Sequence, residues 1–431
     1  MNRRWSALTA VTALLVGCSA LEVDPPVTST EVATTTTSPS TTTSSSTTTT
    51  TVPLLTLEGA VMDDQGTPVV AASVLFADET LSTDTSGQFV IESVAGGDVH
   101  ISKAGWIEET FSWDGVESVV EVEMVHQTVR GLHVSGVAAA DDVTFSSLLQ
   151  LADTTAVNTF VFDTKQEGGT VLYDTSVLEA HDIGAVEVAY EPSQRLQQTH
   201  DAGLYAITRI VTFEDSFRVK ARPEEKLAGH WIDPRSESAW QYNIELGVEA
   251  CQLGFDEIQY DYVRFPAGKT AKVSGQLNLT QDERVGAIAG FLGAARAQLE
   301  PMGCAISADI FGIVVSTEND QGLGQRPEEL SKELDAVSPM VYPSHYADGW
   351  LGFPDPNDYP YEVTADAIDN AMGRIDAGSS VRPWLQAFWW TNAQIRSSIQ
   401  AAEDRGVGWM MWNVRSNFDS EALPGADEVE G

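Results

Sequence analysis

The chain is short of positive charge, of cysteine and of histidine. Its 431 residues carry 24 Lys and Arg against 63 Asp and Glu, a formal net charge of −39. Such a surface repels a phosphate backbone and offers no basic patch, so no nucleic-acid partner is expected, and ligands should be neutral or cationic. An acidic surface also serves solubility alone. The seven histidines are scattered, with no H-x-x-H or H-E-x-x-H, so no metal site and no cofactor is expected. No G-x-S-x-G elbow supports an ester or amide hydrolase, and GLHVSGVAAAD has the wrong spacing for a phosphate loop. Cysteine is limited to Cys18, Cys251 and Cys304. The last two each sit just ahead of an expected strand. They either pair, as an oxidising compartment allows, or stay as separate buried thiols.

What is present begins with a leader. MNRRWSALTAVTALLVGCSA has Arg3 and Arg4, a short apolar run and small residues before Cys18, the pattern of an export signal over residues 1–17. The run is too short to span a bilayer as a mature helix. LVGC resembles a bacterial lipobox, which implies a lipid on the Cys18 sulfur and anchoring to the extracellular or periplasmic side of a membrane; ordinary cleavage nearby is the plainer alternative. The Ser/Thr tract at residues 27–52 has almost no core-forming side chains and cannot offset the entropy of ordering, so residues 18–53 read as a linker.

Residues 54–126 carry short alternating runs (VVAASVLF, GQFVIESV, DVHISKAGW) between the turn clusters DDQG, TDTSG and AGGD, which predict a small antiparallel β-sandwich. Over residues 127–421, eight apolar strands alternate with amphipathic helices: 129–136, 157–165, 204–213, 255–263, 304–312, 336–344, 381–389 and 407–413. That order and size predict an α/β fold, a (β/α)8 TIM barrel, ahead of an acidic tail at 422–431.

Chemistry in such barrels gathers at the C-terminal ends of the strands. Polar groups sit there in seven of the eight: Asp163 and Lys165, Arg209, Gln259 and Asp261, Asp309, Tyr342 and His345, Gln386, and Trp412 with Asn413. Within FDEIQYDYVRFP, period two puts Glu257, Gln259 and Asp261 on one face, with Ile258, Tyr260 and Tyr262 toward the helices. Arg264 follows, where its fork could hold a carboxylate or a substrate hydroxyl. Asp261 and Asp309 end adjacent strands. One of two such acids can stay ionised while the other holds its proton, the division of labour of a glycosidase. Trp384, Trp389, Trp390, Tyr346, Trp350 and Trp412 lie in or after strands six to eight, where flat rings can stack on sugar faces. The plainer readings are a structural ion pair for Asp261 and core packing for about half of the tryptophans.

Two resemblances sharpen this. GAVMDDQGTPVVAASVLF followed by TDTSGQFVIESVAGGDVHISKAGW is similar to the carboxypeptidase regulatory-like domains that accompany extracellular enzymes. GFDEIQYDYVRFP, SADIFG, VSPMVYPSHY, RPWLQ and GWMMWN, in that order over about residues 129–418, resemble a bacterial family of glycoside-hydrolase-like TIM barrels first catalogued as a domain of unknown function. The family implies a carbohydrate-active enzyme without naming a substrate. A more distant likeness to the family-eighteen chitinases covers Met340, Tyr342 and Trp412, but Val263 stands where their catalytic acid would be. Asp261 also resembles the nucleophile position of several α-glycosidase barrels. The expectation is a glycoside hydrolase acting on an extracellular or cell-envelope polysaccharide. Asp261 and Asp309 would be catalytic, with Asp163, Lys165, Arg209, Gln259, Arg264, Tyr342, His345, Trp384, Gln386 and Trp412 around the sugar. The rival is a carbohydrate-binding, wall-associated lipoprotein without turnover.

Overall fold

The computed structural model describes residues 54–429, apart from 71, 78, 94, 104, 117 and 377. The leader, Cys18 and the Ser/Thr tract lie outside the described residues.

The N-terminal region holds two small sheets. β1 (Leu55–Met62) lies between β4 (Gln88–Ser93) and β7 (Ser118–Glu123), while β2 (Ser73–Phe76), β3 (Glu79–Ser82), β5 (Gly97–Ser102) and β6 (Glu109–Trp113) form an antiparallel sheet in the order β3-β2-β5-β6. The alternation read from the sequence is visible in β4, where Phe89 and Ile91 are buried between exposed Gln88, Val90 and Glu92. Leu57, Val61, Val74, Phe89, Ile101 and Trp113 join one core between the sheets. The turn clusters are held by Asx contacts: Asp84 Oδ1 accepts from the Ser86 and Gln88 amides at 2.8 and 2.9 Å. One pairing departs from expectation, since β1 and β7 run parallel. They are the first and last strands of the region, so no hairpin sets their relative direction.

The barrel follows. β8 (Arg130–Val134), β9 (Thr159–Lys165) and β10 (Tyr205–Val211) are its first three staves, and a small antiparallel pair, β11 (Lys226–Ala228) and β12 (Trp231–Ile232), sits in the loop after β10. β13 (Glu257–Asp261), β14 (Ala305–Phe311) and β15 (Ala336–Val341) continue it, then β16 (Ser380–Val381) with β17 (Trp384–Gln386), then β18 (Trp409–Trp412). Every neighbour is parallel and β18 pairs back to β8, closing eight staves. The seventh stave is broken at Pro383, which has no N–H for the ladder and whose carbonyl accepts from the Met410 amide at 2.9 Å.

Helices cover the outside. The helix Gln281–Leu299 opens with a capping box between Thr280 and Glu283. The helix Glu237–Leu253 approaches β13 closely because it carries Gly247: a Cβ there would stand 2.5 Å from Tyr260 Oη. Cys251 and Cys304 are joined in a disulfide, Cα to Cα 6.1 Å, which ties the end of that helix to the start of β14. This resolves the two readings in favour of pairing.

Toward the N-terminal end the barrel is plugged by charge. Glu257, 2 % exposed, pairs with Arg382, 5 % exposed, and also accepts from Ser307 Oγ. A buried pair contributes little net stability, but removing one partner strands the other in low dielectric. We expect Glu257→Ala to lower unfolding stability by about 3–5 kcal/mol in denaturant melts, and Glu257→Met with Arg382→Met to recover most of that loss. A single variant as stable as wild type would show that the plug carries no such strain.

Candidate active site

The other end of the barrel is organised by one guanidinium. Arg209 faces inward from β10 and is 1 % exposed. Its Nε and Nη2 donate to Asp261 Oδ2 on β13 at 2.9 and 2.6 Å, and its Nη1 donates to Asp163 Oδ1 on β9 at 2.8 Å. Nη2 also reaches Glu167 Oε1, in the turn after β9, at 2.7 Å. Asp309 Oδ2 on β14 stands 4.0 Å from Nε, too far for a hydrogen bond. Nε is thus shared unequally, and the Oδ2 atoms of Asp261 and Asp309 lie within about 7 Å of each other.

The register explains why these groups meet. Arg209 is level with Asp163 on one side and Gln259 on the other, and Val211 with Asp261 one layer higher. After Asp261 the backbone of Tyr262 is left-handed, φ 51°, and its amide donates back to Asp261 Oδ1 at 2.5 Å. Such a conformation in a bulky residue is unfavourable by roughly 1–3 kcal/mol and has to be held by its surroundings. It turns the Tyr262 side chain to the cleft instead of the helix layer, against the period-two expectation.

The carboxyls receive opposite treatment. Burial pushes Asp163 up, but His133 and Arg209 outweigh it and hold the acid down at about 2. Asp309 is 1 % exposed; burial, then the charge of Asp261, raise it well above the usual carboxylate range against the pull of Arg209. Trp384 Nε1 donates to Asp309 Oδ1 at 2.8 Å, which leaves Oδ2 to carry a proton. The aromatic floor is continuous: Trp412 lies 4.6 Å under the Arg209 guanidinium, stacks on His133 at 4.1 Å and meets Trp384 edge-on at 5.5 Å. His133 in turn bridges the Asp163 carboxylate and the Asn413 carbonyl.

Above this floor is an open cavity of about 660 Å³ bounded by Arg209, Asp261, Asp309, Tyr342, Trp384 and Trp412, with Glu167, Tyr262, Arg264, His345, Tyr346 and Trp350 around its sides. Burial holds His345 below its usual range, so a neutral imidazole faces the cavity. Burial, then Asp309 and Asp261, keep the Tyr342 phenol protonated. Arg264 is 7 % exposed and packs on Trp231, Tyr262 and Phe311 at 4.5, 5.1 and 4.3 Å. Its Nη1 donates to its neighbour's carbonyl, Phe265 O, and no carboxylate pairs with it among the described residues. Burial draws it down to about 10, so it stays charged at neutral pH.

Asp261, Asp309, Arg209, Arg264, Tyr342, His345, Trp384 and Trp412 therefore meet at one mouth. Four other residues expected at the sugar, Asp163, Lys165, Gln259 and Gln386, do not line it. Lys165 faces the helix layer, bonded to Asp215 at 2.9 Å and Asn243 at 3.0 Å. The register slips at this point, so that Lys165 lies opposite Ile210 and the strict alternation from Asp163 fails. Gln259 is fully buried one layer down, against Ser338 and Met410. Gln386 is fully buried and accepts from Ser344 while donating to Phe388 O. Asp163 sits behind Arg209 and acts on the site through it. Sequence reasoning passed over His133 and Glu167. His133 ends the first strand, the one stave given no polar residue, and the same positional rule finds it; Glu167 is in an irregular turn with no period to betray it. Among the described residues no cluster of His, Cys, Asp and Glu is arranged to hold a metal.

Residues 131–418 match the family described as "putative glycosyl hydrolase domain". The chain belongs to this family. No curated protein sequence matches it. Among solved structures it resembles the glycoside hydrolase domain of PgaB (BpsB) from Bordetella bronchiseptica, at TM-score 0.52 and 12 % identity over 69 % of this chain and 98 % of that one. It also resembles a hypothetical protein from Ruminiclostridium thermocellum (TM-score 0.36, 31 % identity, 41 % of this chain and 96 % of that one) and a chitinase from Chromobacterium violaceum (TM-score 0.46, 13 % identity, 70 % and 98 %). The PgaB likeness bears on the barrel fold alone; the family match assigns the barrel region to the family so described.

The raised Asp309 sets a stability consequence. Its ordinary value is 3.8, so below that pH the folded and unfolded chains are both protonated and no penalty arises. As pH climbs from there toward the folded value, the unfolded state ionises first and stability falls. Asp309→Asn, always neutral, should unfold at a higher temperature than wild type at pH 7, with the gap closing toward pH 4; a gap independent of pH would contradict the raised acid.

Proposed function

We propose that the protein is a glycoside hydrolase that cleaves glycosidic bonds of an extracellular or cell-envelope polysaccharide, with Asp309 as general acid and Asp261 as base or nucleophile. The supporting observation is the unequal hold of Arg209 on two carboxyls from adjacent staves. Asp309, buried and out of hydrogen-bond reach of Arg209, keeps a proton on Oδ2 for the departing glycosidic oxygen. Asp261, an acceptor for three N–H donors, has the fixed position needed to face the anomeric carbon or its water. Positive charge building on the sugar ring is met by Asp261 and Glu167. Partly exposed Trp412 is the platform, with fully buried Trp384 holding Asp309 beneath the cavity; Tyr342 and His345 form the wall, and the unpaired Arg264 supplies donors to hydroxyls.

The leader and the Ser/Thr tract support a lipid on Cys18 and a tether that lets the enzyme work outside the cytoplasm. The order of turns and strands over residues 54–126 supports an accessory module of the carboxypeptidase regulatory-like type.

Screening against soluble polysaccharides tests the assignment. With a substrate in hand, Asp261→Asn and Asp309→Asn should each lower kcat by about 10²–10⁴-fold. The wild-type rate should fall as pH rises through the elevated Asp309 value, a limb that Asp309→Asn lacks. Two variants at wild-type rates would refute the pair. Polysaccharide binding without product, unchanged by Asp261→Asn, would instead identify a non-catalytic binding protein.

A further inference from the structure

Trp389 lies outside the cleft, in the loop between β17 and the helix Asn392–Glu403, and it is 83 % exposed. Its backbone is left-handed, φ 60°, a conformation that bulky residues rarely adopt and that a glycine would take without strain. The residues on either side are pinned: Ala387 O accepts from Asn413 Nδ2 at 2.7 Å, Phe388 O accepts from Gln386 Nε2 at 3.0 Å, and Trp390 Nε1 donates to Asn357 at 2.7 Å. A rigid loop thus holds the largest apolar side chain out in water, in a strained conformation, with no hydrogen bond of its own among the described residues. Folding gains nothing from that arrangement, whereas stacking on a ligand would.

Two features say which ligand. The Trp389 ring contacts Phe388 at 5.0 Å, and Phe388 contacts Tyr342 and His345 of the cleft wall at 5.5 and 5.9 Å, so an aromatic line leads out of the candidate active site. Trp389 also borders a second groove of about 930 Å³ lined by hydrogen-bonding Asn392, Arg415 and Asn417 beside apolar Val143 and Val414. An aromatic face with amides and a guanidinium around it suits a pyranose, whose rings are apolar above and below and hydroxylated at the rim.

We propose that Trp389 is the platform of a distal subsite that binds the polysaccharide beyond the cleft, so that the substrate is a polymer spanning both grooves and cleavage falls within the chain. The proposal rests on the carbohydrate reading of the cleft. Native gels cast with glycol chitin, laminarin, xylan or arabinogalactan test it, with product release measured on the same samples. At least one polymer should retard the wild type, Trp389→Ala should weaken that retardation by about 3- to 10-fold, and Trp389→Tyr should restore it. Trp389→Gly should bind as weakly as Trp389→Ala yet unfold at a higher temperature, because glycine relieves the left-handed strain. Retardation by none of the four polymers, or retardation equal in wild type and Trp389→Ala, overturns the subsite. Retardation that depends on Trp389 without product leaves the subsite standing and removes the hydrolase assignment.

Discussion

The mouth of the barrel depends on the Arg209 guanidinium being buried among more carboxyls than it can neutralise. A desolvated cation is tolerable only with close anionic partners. Here the fixed fork satisfies Asp163, Glu167 and Asp261 directly and leaves Asp309 at 4.0 Å. Trp412 closes the lower face of the cation at 4.6 Å, so the fork cannot turn toward Asp309 without giving up that contact and two short bonds. One side chain in one orientation thus makes two like residues on neighbouring staves chemically different.

That difference opposes stability, and it is the feature on which the proposed acid and base roles rest. A buried acid next to an anion is a poor way to hold a barrel together, and the backbone strain at Tyr262 and Trp389 adds to the burden. All three features sit at the C-terminal end of the barrel, the first two at the cleft and Trp389 outside it. The opposite end, plugged by the paired Glu257 and Arg382, has its charges balanced. The division matches what barrels of this kind do, with function at one end and structural closure at the other. Because the family match covers the barrel and not the N-terminal sheets, the chemistry is assigned to the barrel alone.

Much of this was legible in the chain. All eight staves lie where apolar runs between helical stretches put them, because burial of each strand on both faces leaves a near-continuous apolar run. Asp261 and Asp309 were accessible for the same reason: each ends a run, and strand ends point at the mouth. The misses have local causes. The slip beside Arg209 turned Lys165 outward, and no residue at that point announces a bulge. The positive φ at Tyr262 reversed its side chain, where nothing but the tight approach to the Asp261 carboxylate selects that backbone. Gln259 has the correct face but the wrong depth, since period two fixes direction and not height. Which arginine would capture Asp261 was likewise beyond periodicity: Arg264 is nearer in sequence, yet its guanidinium is caged by three rings while Arg209 arrives from the next stave.

The most direct test is a carbon-13 NMR titration of the protein with labelled aspartate carboxyls. The account requires one carboxyl to remain protonated well above the ordinary 3.8, to respond to the ionised neighbour, and to vanish from the spectrum in Asp309→Asn. A spectrum in which every aspartate has ionised by about pH 5, near the upper edge of the ordinary spread for that residue, would contradict the unequal hold of Arg209 and with it the acid and base roles built on it.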